Sequence, residues 1–186
     1  MSLERFTRGS ALRATLLLLA GAYAGALVFF AAAAGTVLDE SPSRHAGGAV
    51  NRALLDLLDV ASYATAAVAF LLVLLLDRVE PLAKVQKGLA LRLLAVVGAA
   101  AFASHEVITP QMMSLRDRLP TIIDLLPAAD PGRQQWGRLH AFSSVVLLVR
   151  ILAAAAFYLA LVRKPRRTIA VRTGSGAVPA DPTTAA

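Results

Sequence analysis

The residues able to do chemistry in this chain are few, and they stand in or beside long apolar runs. Ser104-His105-Glu106-Val107-Ile108-Thr109-Pro110 closes one run and sets an imidazole beside a carboxylate, with a proline directly after. An uncompensated charge at membrane depth costs roughly 2.5–3.5 kcal/mol on insertion scales, so such groups pair with one another or serve a ligand. Asp59 and Tyr63 stand in an earlier run, and His140, Ser143 and Arg150 in a later one. Arg150 lies deepest, about 15 Å beyond His140 at the helical rise of 1.5 Å per residue. Helical side chains lean toward the helix N-terminus, so its guanidinium is expected to reach back toward Glu106 or Asp59. A structural ion pair is the first expectation, and a role in binding an anion or other ligand is the alternative.

Neutral imidazole ligates both transition metals and haem iron. His105 and His140, at comparable depth, are therefore candidate ligands for haem b or a transition metal. The competing reading has each histidine hydrogen-bonded to a neighbouring helix or to water, with no cofactor expected. His45 falls in a polar stretch and is read as solvated. The absence of cysteine excludes disulfides, zinc–thiolate sites and iron–sulfur clusters. No Ser-His-Asp arrangement, phosphate loop or paired-carboxylate hydrolase pattern is visible, and no enzymatic activity is expected.

The elements that must position these groups follow from hydropathy. The chain of 186 residues is 57% hydrophobic and 17% charged, against ~45–50% and ~25% for soluble domains. Four apolar segments, about 14–38, 54–76, 88–109 and 137–162, are each long enough to cross ~30 Å of hydrocarbon. The expected fold is all-α, a four-helix transmembrane bundle spanning 14–162. A basic leader (1–13) precedes it, and a basic, then disordered tail (163–186) follows. The first segment is too long for a signal h-region of ~7–15 residues and is read as a retained anchor. Arg52 precedes Asp56 by one helical turn and is expected to pair with it. Asp39–Asn51 reads as a polar loop with Ser41-Pro42 and Gly47-Gly48 as turn signals. Pro110 is expected to stop or kink the third helix and to free backbone carbonyls near Ile108 and Glu106. Beyond it, Gln111–Leu119 could continue as helix and Thr121–Leu126 could form a short turn. Trp136 is placed as an interfacial anchor opening the fourth helix.

Charge sets the orientation. Twelve Lys and Arg residues fall on the side of both termini and the second loop, against six on the other side. The positive-inside rule then puts both termini in the cytoplasm. The net charge of +7 belongs to this asymmetry, and no nucleic-acid partner is expected. Three stripes at helical spacing converge in the outer half: Asp59, Ser62, Tyr63 and Ala66; Phe102, His105, Glu106 and Thr109; and His140, Ser143, Leu147 and Arg150. They define a polar pocket opening outward, with Asp59, Tyr63, His105, Glu106, Thr109, Pro110, His140, Ser143 and Arg150 as its candidates. The partner is the lipid bilayer. A homo-oligomer could form through Gly21-Ala22-Tyr23-Ala24-Gly25, a small-xxx-small pattern. The Ala-, Leu- and Arg-rich, Lys-poor composition points to a GC-rich bacterium, and the protein is expected in its inner membrane.

Three motifs carry a resemblance: Gly25-Ala26-Leu27-Val28-Phe29-Phe30; Ile108-Thr109-Pro110-Gln111-Met112 with Leu115-Arg116; and Arg138-Leu139-His140-Ala141-Phe142-Ser143. From about Arg13 to Val162 the chain resembles the transmembrane-protein-205-like family, a four-helix membrane domain of unknown function in bacteria. Gln111 stands where that family usually has arginine, Ala141 replaces a glycine, and an asparagine usual further along the fourth helix is not evident. The resemblance implies an integral membrane protein, with a small transporter or resistance factor as one alternative. A more distant likeness to copper-resistance D-like proteins and to a haem-dependent protoporphyrinogen oxidase family implies the haem or metal alternative.

Overall fold

In the computed structural model, residues 3–119 and 121–162 are described. The tail expected over 163–186, and Pro120, lie outside them. Four long helices form the molecule: α1 (Leu3–Glu40), α2 (Arg44–Val79), α3 (Lys84–Arg118) and α4 (Pro131–Val162). α3 is α-helical over Lys84–Phe102, passes through a π-helical stretch at Ala103–Ile108, and resumes as Thr109–Arg118. A 3₁₀ turn, Ile123–Leu125, lies in the connection to α4. No strand occurs among the described residues. All four helices are long and apolar enough to cross a membrane.

The helices run longer than the apolar segments, because a charge limits the hydrocarbon span while caps and proline limit the helix. The leader expected over 1–13 is helical from Leu3, with no proline or cap to interrupt it. α4 begins at Pro131, not near Trp136. Asp130 caps it, its Oδ1 accepting from the Gly132 and Arg133 amides at 2.8 and 3.1 Å. Proline at the first helical position costs nothing there, since that amide has no intrahelical acceptor. The polar loop expected over Asp39–Asn51 shrinks to Ser41–Ser43. Ser43 starts α2 by accepting from the Ala46 amide at 3.1 Å, the usual serine N-cap.

Gly47, expected to mark a turn, lies inside α2, and no glycine among the described residues has a positive φ. Its role is close approach. A Cβ there would stand 2.9 Å from both the Leu38 Cα and the Val37 carbonyl oxygen. Asn51 Nδ2 donates to the Ala34 carbonyl at 2.8 Å just beyond, holding the C-terminal end of α1 to the N-terminal end of α2.

Pro110 does not stop α3. It has no amide to donate and its ring crowds the carbonyl four residues back. The helix widens ahead of it, the Thr109 amide reaching back five residues to the Ser104 carbonyl. π-turns inside α-helices are often found at functional sites.

Packing follows an antiparallel ring in which α1 meets α2, α2 meets α3, α3 meets α4 and α4 meets α1. At the end carrying both termini, Leu16, Ala20, Val73, Leu76, Leu94, Phe157 and Leu161 belong to the largest buried apolar cluster among the described residues. Arg13 ties that end together, donating to Glu80 Oε1 at 2.7 Å and to the Leu161 carbonyl at 3.2 Å. Lys87 meets Asp77 at 2.6 Å on the same side. Leu18, Phe29, Leu57, Leu71, Phe102, Leu152 and Leu159 face outward. A surface this apolar around a partly polar interior suits lipid.

Candidate functional site

The polar interior is built on α2. Asp59 and Ser62 stand three apart on one helical face and are both completely buried. Arg150 enters from α4, 1% exposed. Its Nη1 donates to Asp59 Oδ1, and its Nη2 donates to Ser62 Oγ and, at 3.0 Å, to the Leu58 carbonyl. The guanidinium thus reaches back along its own helix as side-chain lean requires, but to Asp59 only. Glu106, the other expected partner, has a half-exposed side chain at the rim of the site.

The surrounding hydroxyls complete the network. Ser62 donates to the Leu58 carbonyl at 2.6 Å. With that proton committed, the Tyr23 hydroxyl of α1, 2.6 Å away, is the donor to Ser62 Oγ. Ser104, at the start of the π-turn, donates to Asp59 Oδ2 at 3.0 Å. All four helices therefore contribute to one cluster. Paired, hydrogen-bonded charges are the form in which buried charge is tolerated.

Above the cluster, between the N-terminal half of α2 and the C-terminal half of α3, opens a cleft of about 660 Å³. Arg52 and Asp56 of α2 face His105, Glu106, Thr109, Pro110, Met113, Asp117 and Arg118 of α3 across it. His105 joins cleft to cluster. Its Nδ1 is buried, makes no hydrogen bond among the described residues, and lies 4.0 Å from both Asp56 Oδ1 and Asp59 Oδ2. Its Nε2 is 3.9 Å from Glu106 Oε1. Tyr63 sets its ring edge-on to the imidazole, with centroids 6.5 Å apart and planes at 84°. Arg52 Nε lies 3.7 Å from Asp56 Oδ2, the expected i,i+4 pair.

Of the sequence candidates, Asp59, Tyr63, His105 and Arg150 come together, and Glu106, Thr109 and Pro110 line the cleft. His140 and Ser143 are not brought in: His140 is exposed, and neither residue lines the cleft. Of the α3 stripe, His105, Glu106 and Thr109 face the cleft, and Phe102 does not. Phe102 is 56% exposed, while Ala101, Ser104, Ile108 and Leu115 are buried. Apolar packing of Ile108 and Ala100 against Val146 of α4 set that phase. Tyr23, Ser62 and Ser104 were not among the site candidates, although Ser62 lies on the expected α2 stripe. Among the described residues, Asp56, Asp59 and His105 form the group able to offer ligand atoms within 4.8 Å of one another, and His140 is not a member.

This arrangement defines an integral membrane four-helix bundle with a buried ion pair beneath a polar cleft. The chain belongs to the family described as Domain of unknown function (DUF4149), whose pattern matches residues 18–120. The matched stretch takes in Asp56, Asp59 and the π-turn of α3, and ends before α4 and Arg150. No curated protein and no solved structure matches the chain.

Proposed function

We propose that the protein is a non-enzymatic solute-binding protein of a bacterial inner membrane, related to the transmembrane-protein-205-like group. Both termini lie in the cytoplasm, and the α2–α3 cleft opens to the outer side. One observation carries this reading: charges of both signs line an open cleft whose floor, His105, abuts a fully buried Arg150–Asp59 pair. Charge at that depth is costly and is retained in membrane proteins chiefly where solutes or ions pass or bind. The cytoplasmic half of the bundle is filled by Leu16, Val73, Leu94 and Phe157. A single copy therefore supports capture rather than conduction. Passage across the bilayer would take assembly, for which the exposed Gly25 face of α1 is the close-approach surface.

The test is thermal unfolding of the detergent-purified protein, followed by circular dichroism, against amino acids, polyamines and small organic anions. A solute at a hundred times its Kd stabilises by about 2.7 kcal/mol, which the melting curve resolves. Saturable stabilisation that disappears in Asp117→Ala/Arg118→Ala supports the reading. Stabilisation that survives that double substitution removes the cleft from it.

A further inference from the structure

We propose that Asp56, Asp59 and His105 hold one first-row divalent cation at the floor of the α2–α3 cleft. The inference rests on the cleft being a binding site and names the class of its occupant. Its starting point is a mismatch of hydrogen-bonding groups. His105 Nε2 lies 3.9 Å from Glu106 Oε1, beyond hydrogen-bond reach, so the ring proton is free to sit on that nitrogen. Nδ1 then presents its lone pair, buried and unpartnered, to two carboxylate oxygens. Three electron-pair donors facing one another repel unless positive charge sits between them.

Distance decides which positive charge fits. A bridging proton needs N···O of about 2.7–3.2 Å, and both separations are 4.0 Å. A metal bound at about 2.0–2.2 Å from nitrogen and oxygen holds tetrahedral ligand atoms ~3.4 Å apart, so these three atoms, within 4.8 Å of one another, draw in by several tenths of an ångström to close on one ion. Asp56 and Asp59 are three apart on α2, so one helical face supplies both oxygens. α3 supplies the nitrogen.

The surroundings are those of a metal site with open positions. Asp59 is held by Ser104 and Arg150, and ligating carboxylates are usually oriented by such partners. Arg150 offsets one carboxylate, while Asp56 and Glu106 leave the floor net negative. The Arg52–Asp56 contact, at 3.7 Å between half-exposed groups, is weak enough to yield. Two carboxylates and one imidazole, without thiolate, suit zinc, manganese, iron or cobalt better than cuprous ion. Three protein ligands leave a position directed into the cleft for water or a solute.

The experiment is titration of the metal-stripped, detergent-purified protein with Co²⁺, read by its visible d–d absorption and by equilibrium dialysis with metal analysis. The expected result is saturation at one cobalt per chain, displaced by Zn²⁺. Asp56→Asn and His105→Gln should each weaken binding at least about a hundredfold, and His140→Ala should leave it unchanged. Asp56 is half-exposed, so its variant keeps the fold, and circular dichroism verifies this for both. Absence of saturable cobalt binding overturns the proposal, as does binding indifferent to Asp56→Asn. Loss of cobalt in His140→Ala also overturns it, in favour of a two-histidine site. Should cobalt fail while an organic solute still stabilises the protein through the cleft, the cation is refuted and the solute-binding reading stands.

Discussion

Removing the Asp59 carboxylate should be one of the two costliest single polar changes in the bundle, the other being loss of its partner Arg150. In Asp59→Asn, Arg150 keeps its contacts to Ser62 and the Leu58 carbonyl but loses its counter-charge, while remaining 1% exposed. Breaking a buried pair from one side costs about 3–5 kcal/mol, because the surviving charge is left without compensation. At roughly 2–4 °C per kcal/mol for a chain of this size, the melting temperature should fall by about 6–20 °C. Arg150→Met should cost a similar amount by stranding Asp59 with Ser104. The diagnostic is the double variant Asp59→Leu/Arg150→Met. Removing both charges replaces the pair with apolar volume, so the double should be more stable than either single variant. The cycle is read from circular-dichroism melts in one detergent. If Asp59→Asn melts within 1–2 °C of the parent, or the two single effects add in the double, the pair does not hold the bundle together.

Two further outcomes test the packing and the topology. Gly47→Ala should destabilise by about 1–3 kcal/mol, since its Cβ would meet α1 backbone at 2.9 Å. Gly48→Ala, with nothing within 4 Å, should gain up to about 1 kcal/mol in helix propensity, and melts of the two variants give the comparison. Alkaline phosphatase fused after Pro127 should be active, whereas fusions after Ala83 or Val162 should be silent. The reverse pattern would turn the proposed orientation over and place the cleft in the cytoplasm.

How much of this was legible beforehand depends on the physics behind each feature. The number of spans and the all-α class were readable because the bilayer demands ~20 apolar residues per helix and satisfies no backbone group. That Arg150 would find an acidic partner was readable for a related reason, since a lone guanidinium at that depth is too costly. The helix ends were less so. Trp136 reads as the opening of the fourth helix and Gly47-Gly48 as a turn, although Pro131 opens α4 at its first position and both glycines lie inside α2.

What tertiary structure alone decided was who meets whom. Polarity nominated Glu106 and Asp59 equally as partners for Arg150, and nominated His140 to join His105. The phase of α3 was settled by Ala101, Ser104, Ile108 and Leu115 turning inward, and by the π-turn ahead of Pro110. One residue of phase rotates a helical side chain by about 100°. That rotation is enough to bring Ser104 onto Asp59 and leave Glu106 at the rim. Spacing along one chain measures positions on one helix. The meeting of Tyr23, Asp59, Ser62, Ser104 and Arg150 depends on the azimuths of four helices at once, and those are set by which faces pack most closely.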